Sequence, residues 1–210
     1  MALSEHFEWI AMKILAALPL AAVLVLPLAA HAEDGVPTAE LKVFDAKVFG
    51  GPIGERASAC FVRRYDASHL AQHPKQKVSA MKLLVTAENH PKEETGYAYK
   101  VGVQFRNKPG NFDGGSHCGH MVDEDGKKDI RFSCDVDCGG GGLEIAMSKD
   151  NKSAIVHLDV IGVWDRAHPK RDAITLEGAG DDKVFRVDRV DISECAELME
   201  GHKVVASLRK

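Results

Sequence analysis

Alternation of apolar and polar residues is the feature that most constrains how this 210-residue chain can fold. Apolar side chains occupy every second position in one long stretch: Tyr97, Tyr99, Val101, Val103 and Phe105. A two-residue period is typical of β-strands that have one buried face and one exposed face. Similar stretches recur along the chain and are separated by short polar or glycine-containing turns. The pattern therefore predicts an all-β fold.

The spacing of these stretches indicates which kind of β fold to expect. We expect strands over residues 60–65, 78–86, 97–105, 117–122, 130–134, 143–147, 154–164, 173–177 and 184–190, after a first strand near residues 41–43. About nine or ten short strands at such intervals predict an antiparallel sandwich or barrel. Helix is expected only as one or two short turns, at residues 67–72 and 193–199, the second capped by Asp191 or Ser193.

The N-terminal segment has the pattern of a secretory signal peptide. Residues 14–30 are almost wholly apolar, and small residues flank His31 where signal peptidase needs them. We expect cleavage after Ala32, with residues 1–32 as the signal, 33–40 as a flexible leader and 41–210 as a single β-rich domain. Because Met12 and Lys13 begin a more typical signal than the acidic residues before them, we expect Met12 to be the true start.

The predicted export defines the compartment and the kinds of partner. The mature protein is expected in the periplasm or outside the cell, without stable insertion into a membrane. The formal net charge of the whole chain is −4, which gives no general attraction for nucleic acid or for anionic lipid. We therefore expect no nucleic-acid partner, and an unknown ligand or an envelope partner instead.

Five cysteines follow the predicted cleavage site, and all five are disulfide candidates because exported thiols normally oxidise: Cys60, Cys118, Cys134, Cys138 and Cys195. An odd number leaves at least one of them unpaired within the chain.

One disulfide pairing can be predicted from a turn. The Asp125-Gly126 pair is typical of a tight hairpin, and strands paired around it place Cys118 nearly opposite Cys134. A change of one residue in the register places the two cysteines on opposite faces, so this pairing depends on the turn. If the bond forms, Cys138 is expected to pair with Cys60 or Cys195.

The cysteines near this hairpin also offer an alternative, a metal site. His117, His120, Cys134 and Cys138 supply nitrogen and sulfur ligands that zinc or cuprous copper accepts. The spacing differs from the paired C-x2-C knuckles of structural zinc sites, and exported thiols oxidise. We therefore predict disulfides and no cofactor. A third hypothesis is a thiol enzyme that uses the unpaired cysteine near one of the two histidines.

Two further motifs are predicted to be structural. His69 and His73 share one helical face, but the glutamate of the H-E-x-x-H metalloprotease motif is missing, so a polar surface turn is expected. The glycines at residues 139–142 precede a strand instead of a helix, which favours a tight bend with positive φ over a phosphate-binding loop.

Three segments carry a resemblance to other proteins: CFVRRYD at residues 60–66, CDVDCGG at 134–140 and DKVFRVD at 182–188. With these segments the chain resembles uncharacterised exported proteins of Gram-negative bacteria. The resemblance implies a periplasmic location and brings no activity with it. Since no complete catalytic set is visible, the sequence favours a disulfide-braced binding or envelope-associated β-module over an enzyme. A periplasmic zinc-binding or copper-binding protein is the alternative.

Overall fold

The computed structural model describes residues 37–89, 94–122, 129–135 and 141–199. The elements are, in chain order, α1 (Thr38–Phe49), β1 (Arg56–Arg64), α2 (Ala67–Gln72), β2 (Val78–Glu88), β3 (Gly96–Phe105), β4 (Lys108–Val122), β5 (Ile130–Asp135), β6 (Gly142–Met147), β7 (Ser153–Leu158), β8 (Val160–Asp165), β9 (Ile174–Glu177), the 3₁₀ helix η1 (Gly180–Asp182), β10 (Val184–Val190) and the 3₁₀ helix η2 (Ile192–Leu198).

Eight of the strands form a closed antiparallel barrel. They follow one another in the order β3-β2-β1-β10-β7-β6-β5-β4, and pairing of β3 with β4 closes the circle. Strand β4 makes the closure possible because it is long. Its first part pairs with β3 up to Cys118, opposite Tyr97, and its last part pairs with β5 from Gly119 onward. The predicted all-β, antiparallel architecture is confirmed, and the barrel is the form it takes.

Alternate residues of each strand fill the barrel interior. Phe61, Leu83 and Val101 lie side by side on β1, β2 and β3, and all three are fully buried. They belong to one continuous apolar cluster that also includes residues from β5, β6, β7 and β10. An eight-stranded barrel has an interior that is just wide enough for side chains to fill. The inside of this barrel is accordingly a packed core.

The β8–β9 hairpin extends the sheet beyond β4 and packs against the core. Strand β8 pairs with β4 at Phe112 and Asp113, and the hairpin contributes Ile161, Val163 and Leu176 to the core. The sequence predicted one strand over residues 154–164, which is wrong, because the chain turns at Asp159 and makes two strands with different neighbours.

Helix α1 covers the end of the barrel where β3 begins and β10 ends. Phe44 and Val48, four residues apart, face the barrel together with Asp45 and are buried. The sequence predicted a strand near residues 41–43 and a loose leader up to residue 40. Both predictions are wrong for Thr38 onward, because the four-residue spacing decides which residues are buried and Val43 remains exposed.

Polar contacts attach α1 to the barrel. Asp45 is only 5% exposed, and its two carboxylate oxygens accept hydrogen bonds from His120 Nε2 and Tyr97 Oη, each at 2.8 Å. At the C-terminal end of the helix, the Arg189 guanidinium donates to the carbonyls of Lys47 and Val48. A cation at a helix C-terminus satisfies carbonyls that have no partner within the helix. These contacts attach the C-terminal half of the helix to the barrel.

Two disulfides brace the fold. One joins Cys118 to Cys134 on the neighbouring strands β4 and β5, the pair that the predicted hairpin places together. The other joins Cys60 on β1 to Cys195 in η2. The expectation that Cys138 pairs with Cys60 or Cys195 is therefore wrong, since those two bond to each other. Cys138 itself lies outside the described residues, as do Asp125 and Gly126.

Two other expectations concern backbone shape. Strand β4 begins at Lys108, whereas the sequence predicted a strand from residue 117 only. Pairing with β3 keeps this glycine-rich stretch extended. Gly141 and Gly142 have φ angles of 102° and 148°, as expected for a bend with positive φ, while residues 139 and 140 lie outside the described part.

Among the described residues, no helix is long and apolar enough to cross a membrane.

Removing the Cys60–Cys195 bond should destabilise the protein more than removing the Cys118–Cys134 bond. The first bond closes a loop of 135 residues and the second a loop of 16. In the chain-entropy description these loops correspond to about 5 and about 3 kcal/mol of unfolding free energy. Urea unfolding of the two paired alanine variants measures the difference, and the opposite ranking would contradict the account.

The three tyrosines should resist ionisation while the protein is folded. Burial raises the pKa of Tyr99 to about 12, and it also raises the pKa values of Tyr65 and of Tyr97, where the Asp45 carboxylate adds to the effect. Since folding favours the neutral phenols, their contribution to stability is complete below pH ~10, the ordinary tyrosine pKa, and decreases as the pH rises above it.

Absorbance at 295 nm, which reports tyrosine ionisation, measures this directly. We expect little phenolate signal at pH 10 in the folded protein and an abrupt rise on alkaline unfolding. A gradual titration centred at pH 10 in the folded protein would show that the phenols are not protected as described.

Candidate functional site

A broad concave surface among the described residues lies on the outside of the barrel. It is a groove of about 930 Å³ that runs over the outer face of β1, β2, β3 and β4. A smaller cleft of about 410 Å³ lies beside the C-terminal end of α1 and is shallower. Small-ligand sites typically measure about 300–1,000 Å³, so the groove is large enough for an elongated ligand.

Three small side chains and one histidine form the central row of the groove floor. Ser58, Thr86, Ala98 and His117 are direct neighbours across β1, β2, β3 and β4. They point outward because the adjacent residues in each strand, such as Tyr97 and Cys118, face the core. The backbone of these strands is therefore covered only thinly, and a ligand can approach the sheet closely.

Helix η2 forms one wall of the groove. It packs on the neighbouring part of the same outer face, where Cys60, Val62 and Leu84 form a second apolar cluster with Cys195 and Leu198. The Cys60–Cys195 disulfide attaches the helix covalently to β1. The groove is the part of this face that η2 leaves uncovered.

A network of charged side chains links η2 to the barrel. Arg166 binds both carboxylate oxygens of Asp113 at 2.6 Å and lies 4.0 Å from Glu197. Glu197 also pairs with Lys82 at 2.6 Å. Hydrogen bonds of the Asp113 carboxylate raise the pKa of the Arg166 guanidinium, which keeps the cation charged. A two-pronged arginine–carboxylate contact fixes geometry as well as charge, so the wall is held in a defined position.

Trp164 forms a second wall of the groove. It lies near the end of β8, opposite Asp113 of β4, and its side chain is 43% exposed. Its six-membered ring lies over Gly162, where an added Cβ would be 3.2 Å from Cη2. An apolar surface of the indole is open to the groove.

The charged residues of the groove and its walls have partners. The pairs are Arg56 with Glu88 at 3.3 Å, Asp113 with Arg166 at 2.6 Å, and Glu197 with Lys82 at 2.6 Å. Lys100, which also lines the groove, is engaged as well. The described lining therefore combines paired charges with hydroxyl groups, one imidazole and one indole, and these groups bind polar ligands through hydrogen bonds and apolar faces.

The structure does not bring the predicted metal ligands together. Cys134 is bonded to Cys118, so its sulfur is not available as a thiolate. His117 is exposed in the groove, whereas His120 faces inward and binds Asp45. Cys138 lies outside the described residues. Across the ranges that the structure describes, no group of three or more histidine, cysteine or acidic side chains is arranged to hold a metal ion.

The second histidine pair has a structural role. His69 stacks between Tyr65 and His73 at ring distances of 4.5 and 4.3 Å, and its Nε2 lies 3.0 Å from Gln76 Oε1. The Asp66 carboxylate caps α2 by accepting from the His69 backbone N–H. This arrangement is a polar surface turn, as expected from the sequence.

The nearby arginines are also paired. Arg63 lies 3.3 Å from the Asp188 carboxylate and Arg64 lies 2.8 Å from that of Glu194. Both arginines thus bind carboxylates of the protein itself, and no anionic ligand is needed to explain why they are there.

Sequence reasoning did not find the groove, because its residues come from five strands and a helix that are spread over more than 140 positions of the chain, from Arg56 to Met199. One signal was present. The outward positions of β3 and β4 carry Ala98, Gly102 and Gly115, where an exposed strand face ordinarily carries long polar side chains.

Substitution of Gly115 tests how closely the backbones of β3 and β4 pack at the groove floor. A Cβ on Gly115 would lie 2.6 Å from the Tyr99 carbonyl oxygen, whereas a Cβ on Gly119 of the same strand meets nothing within 4 Å. We expect Gly115→Ala to lower the free energy of unfolding by about 1–3 kcal/mol, as overpacking does, and Gly119→Ala to change it by less than about 0.5 kcal/mol. Urea unfolding compares them, and equal effects would contradict this packing.

Known proteins provide no further guide to the groove. Comparison with protein families, with curated proteins and with solved structures finds no match to this chain. The function has to be inferred from the geometry itself.

Proposed function

We propose that this protein is a non-enzymatic binding module of the bacterial periplasm or cell envelope, and that its ligand binds in the outer groove. The observation that carries the proposal is the contrast between the two faces of the sheet. The inner face is a packed apolar core, and the outer face of β1–β4 is left open beside the walls that η2 and Trp164 form. Specific ligand sites are concave and largely pre-formed, and this groove has both properties.

The walls of the groove support a binding role because rigidity favours binding. The disulfide at Cys195 and the Arg166 network hold η2 in place before any ligand arrives. A site that needs little ordering loses less conformational entropy when its ligand binds. Both disulfides also fit an oxidising compartment, in agreement with the signal-like N-terminal segment.

The chemistry of the described residues favours binding over catalysis. His117, the imidazole in the groove, is exposed, and no described contact orients it with a carboxylate. His120 does contact a carboxylate, but that carboxylate is Asp45, and the contact attaches helix α1 to the barrel. General acid–base catalysis requires a base within reach of a substrate and held in position. We propose no resident cofactor and no nucleic-acid partner.

Thermal unfolding with a panel of defined compounds tests the proposal. The panel consists of chitotetraose, tetragalacturonate, trialanine and lauric acid, representing uncharged glycans, anionic glycans, peptides and lipids. At least one should raise Tm, because a ligand that binds only the folded state stabilises it. The rise should disappear in Ala98→Phe, which fills the groove floor, and persist in Val184→Phe, which alters an exposed valine outside it.

Two results would contradict the proposed function. One is a Tm that none of the four compounds raises, or that rises equally in Ala98→Phe. The other is a hydrolytic or redox turnover of the purified protein that a single histidine or cysteine substitution abolishes.

A further inference from the structure

We infer that the ligand of the groove is an uncharged oligosaccharide, with Trp164 as the surface on which a sugar ring stacks. This inference rests on the proposed binding function and names the chemical class of the ligand. Four features of the described residues lead to it: the indole, the floor, the charge pairing and the two-sided pairing of the central strands.

The indole is placed to stack on a sugar. The ring of Trp164 rests on Gly162 and is 43% exposed, so the strand supports it while its surface remains open to the groove. An indole joins a broad apolar face to an N–H donor. A pyranose ring has a matching apolar face of C–H groups and hydroxyl groups around its edge. An exposed tryptophan with such support is suited to a ligand that is neither fully apolar nor charged.

The floor supplies hydrogen-bonding groups without filling the space. Ser58 has an exposed hydroxyl, Thr86 Oγ1 donates to the Ala98 carbonyl at 3.4 Å and keeps acceptor capacity, and His117 offers ring nitrogens. Sugar hydroxyls both donate and accept, and hydroxyl and imidazole groups match them in both roles. Since the small Ala98 lies between Thr86 and His117, a flat ring can reach both groups.

The charges in the groove favour a neutral ligand. Arg56 and Glu88 pair with each other, and Asp113 and Glu197 are bound by Arg166 and Lys82. An anionic or cationic ligand would have to compete with these contacts. The volume of about 930 Å³ is near the upper end of the range for small ligands, which favours an oligosaccharide over a single sugar.

The two central strands of the floor cannot accept an added peptide strand. β2 pairs with β1 and β3, and β3 pairs with β2 and β4. Binding of an extended peptide by strand addition requires a free sheet edge whose backbone groups are unpaired. Because β2 and β3 are paired on both sides, recognition at the centre of the groove depends on side chains, as recognition of a glycan does.

Trp164 fluorescence tests the inference directly. The chain has two tryptophans, and the other is Trp9 in the predicted signal. Protein that begins at Glu33, or a Trp9→Phe variant if residues 1–32 are retained, therefore reports on the groove alone. We expect a saturable change in emission on titration with chitotetraose, cellotetraose or maltotetraose.

Variants establish where the sugar binds. Calorimetric titration measures the affinity for the responding sugar. Trp164→Ala should bind it at least about tenfold more weakly than the unmodified protein does, which is the size of effect typical of an aromatic anchor. Ser58→Ala is a milder change and should also weaken binding. It keeps the test valid if circular dichroism shows that Trp164→Ala is poorly folded. Val184→Ala, an exposed valine outside the groove, should bind as the unmodified protein does.

The possible outcomes separate this inference from the proposed function. Binding of an uncharged sugar that depends on Trp164 and Ser58 supports both. If none of the three sugars binds, and tetragalacturonate, trialanine or lauric acid binds in a Trp164-dependent way, the glycan inference is overturned and the binding function stands. If no compound binds in the groove, both are overturned.

Discussion

Pairing of β3 with β4 is the interaction on which the rest of the structure depends. Residues 108–118 of β4 pair with β3, and residues 119–122 of the same strand pair with β5. The strand therefore joins the two ends of the sheet and converts it into a barrel. The Cys118–Cys134 bond lies where β4 passes from one neighbour to the other, so the covalent link stabilises the point of closure.

Closure determines where a ligand can bind. A closed eight-stranded barrel of this kind has its inner face filled by core side chains, and helix α1 and the β8–β9 hairpin add further buried residues to that core. The outer face is then divided by η2, which covers Val62 and Leu84 and leaves the row through Ser58 and Ala98 open. The disulfide to η2 thus stabilises the fold and also builds one side of the groove.

Much of the fold could be predicted from the sequence because strand periodicity is a local property. Strand β10 has the predicted bounds, α2 matches its predicted turn, and Asp191 caps η2 through the Ser193 backbone N–H as expected. The Cys118–Cys134 pairing followed from a local turn as well. Each of these features depends on residues that are close together in the chain.

The errors arose where tertiary contacts override local pattern. α1 was missed because its buried face includes the charged Asp45, whose partners His120 and Tyr97 come from distant strands. The first half of β4 was missed because its glycines are typical of turns, while here they allow close approach of neighbouring backbone. The groove could not be predicted at all, since it depends on barrel closure and on η2, neither of which has a local sequence signal.

The most direct test of the account is an NMR titration that follows backbone amides and the Trp164 indole N–H. The compound should be whichever member of the thermal panel gives the largest increase in Tm. We expect the shift changes to concentrate at Trp164 and at outward positions of β1–β4 such as Thr86 and Ala98, with the core strands β6 and β7 little affected. Changes centred on β6, β7 or α1 would contradict the claim that the outer groove is the binding site.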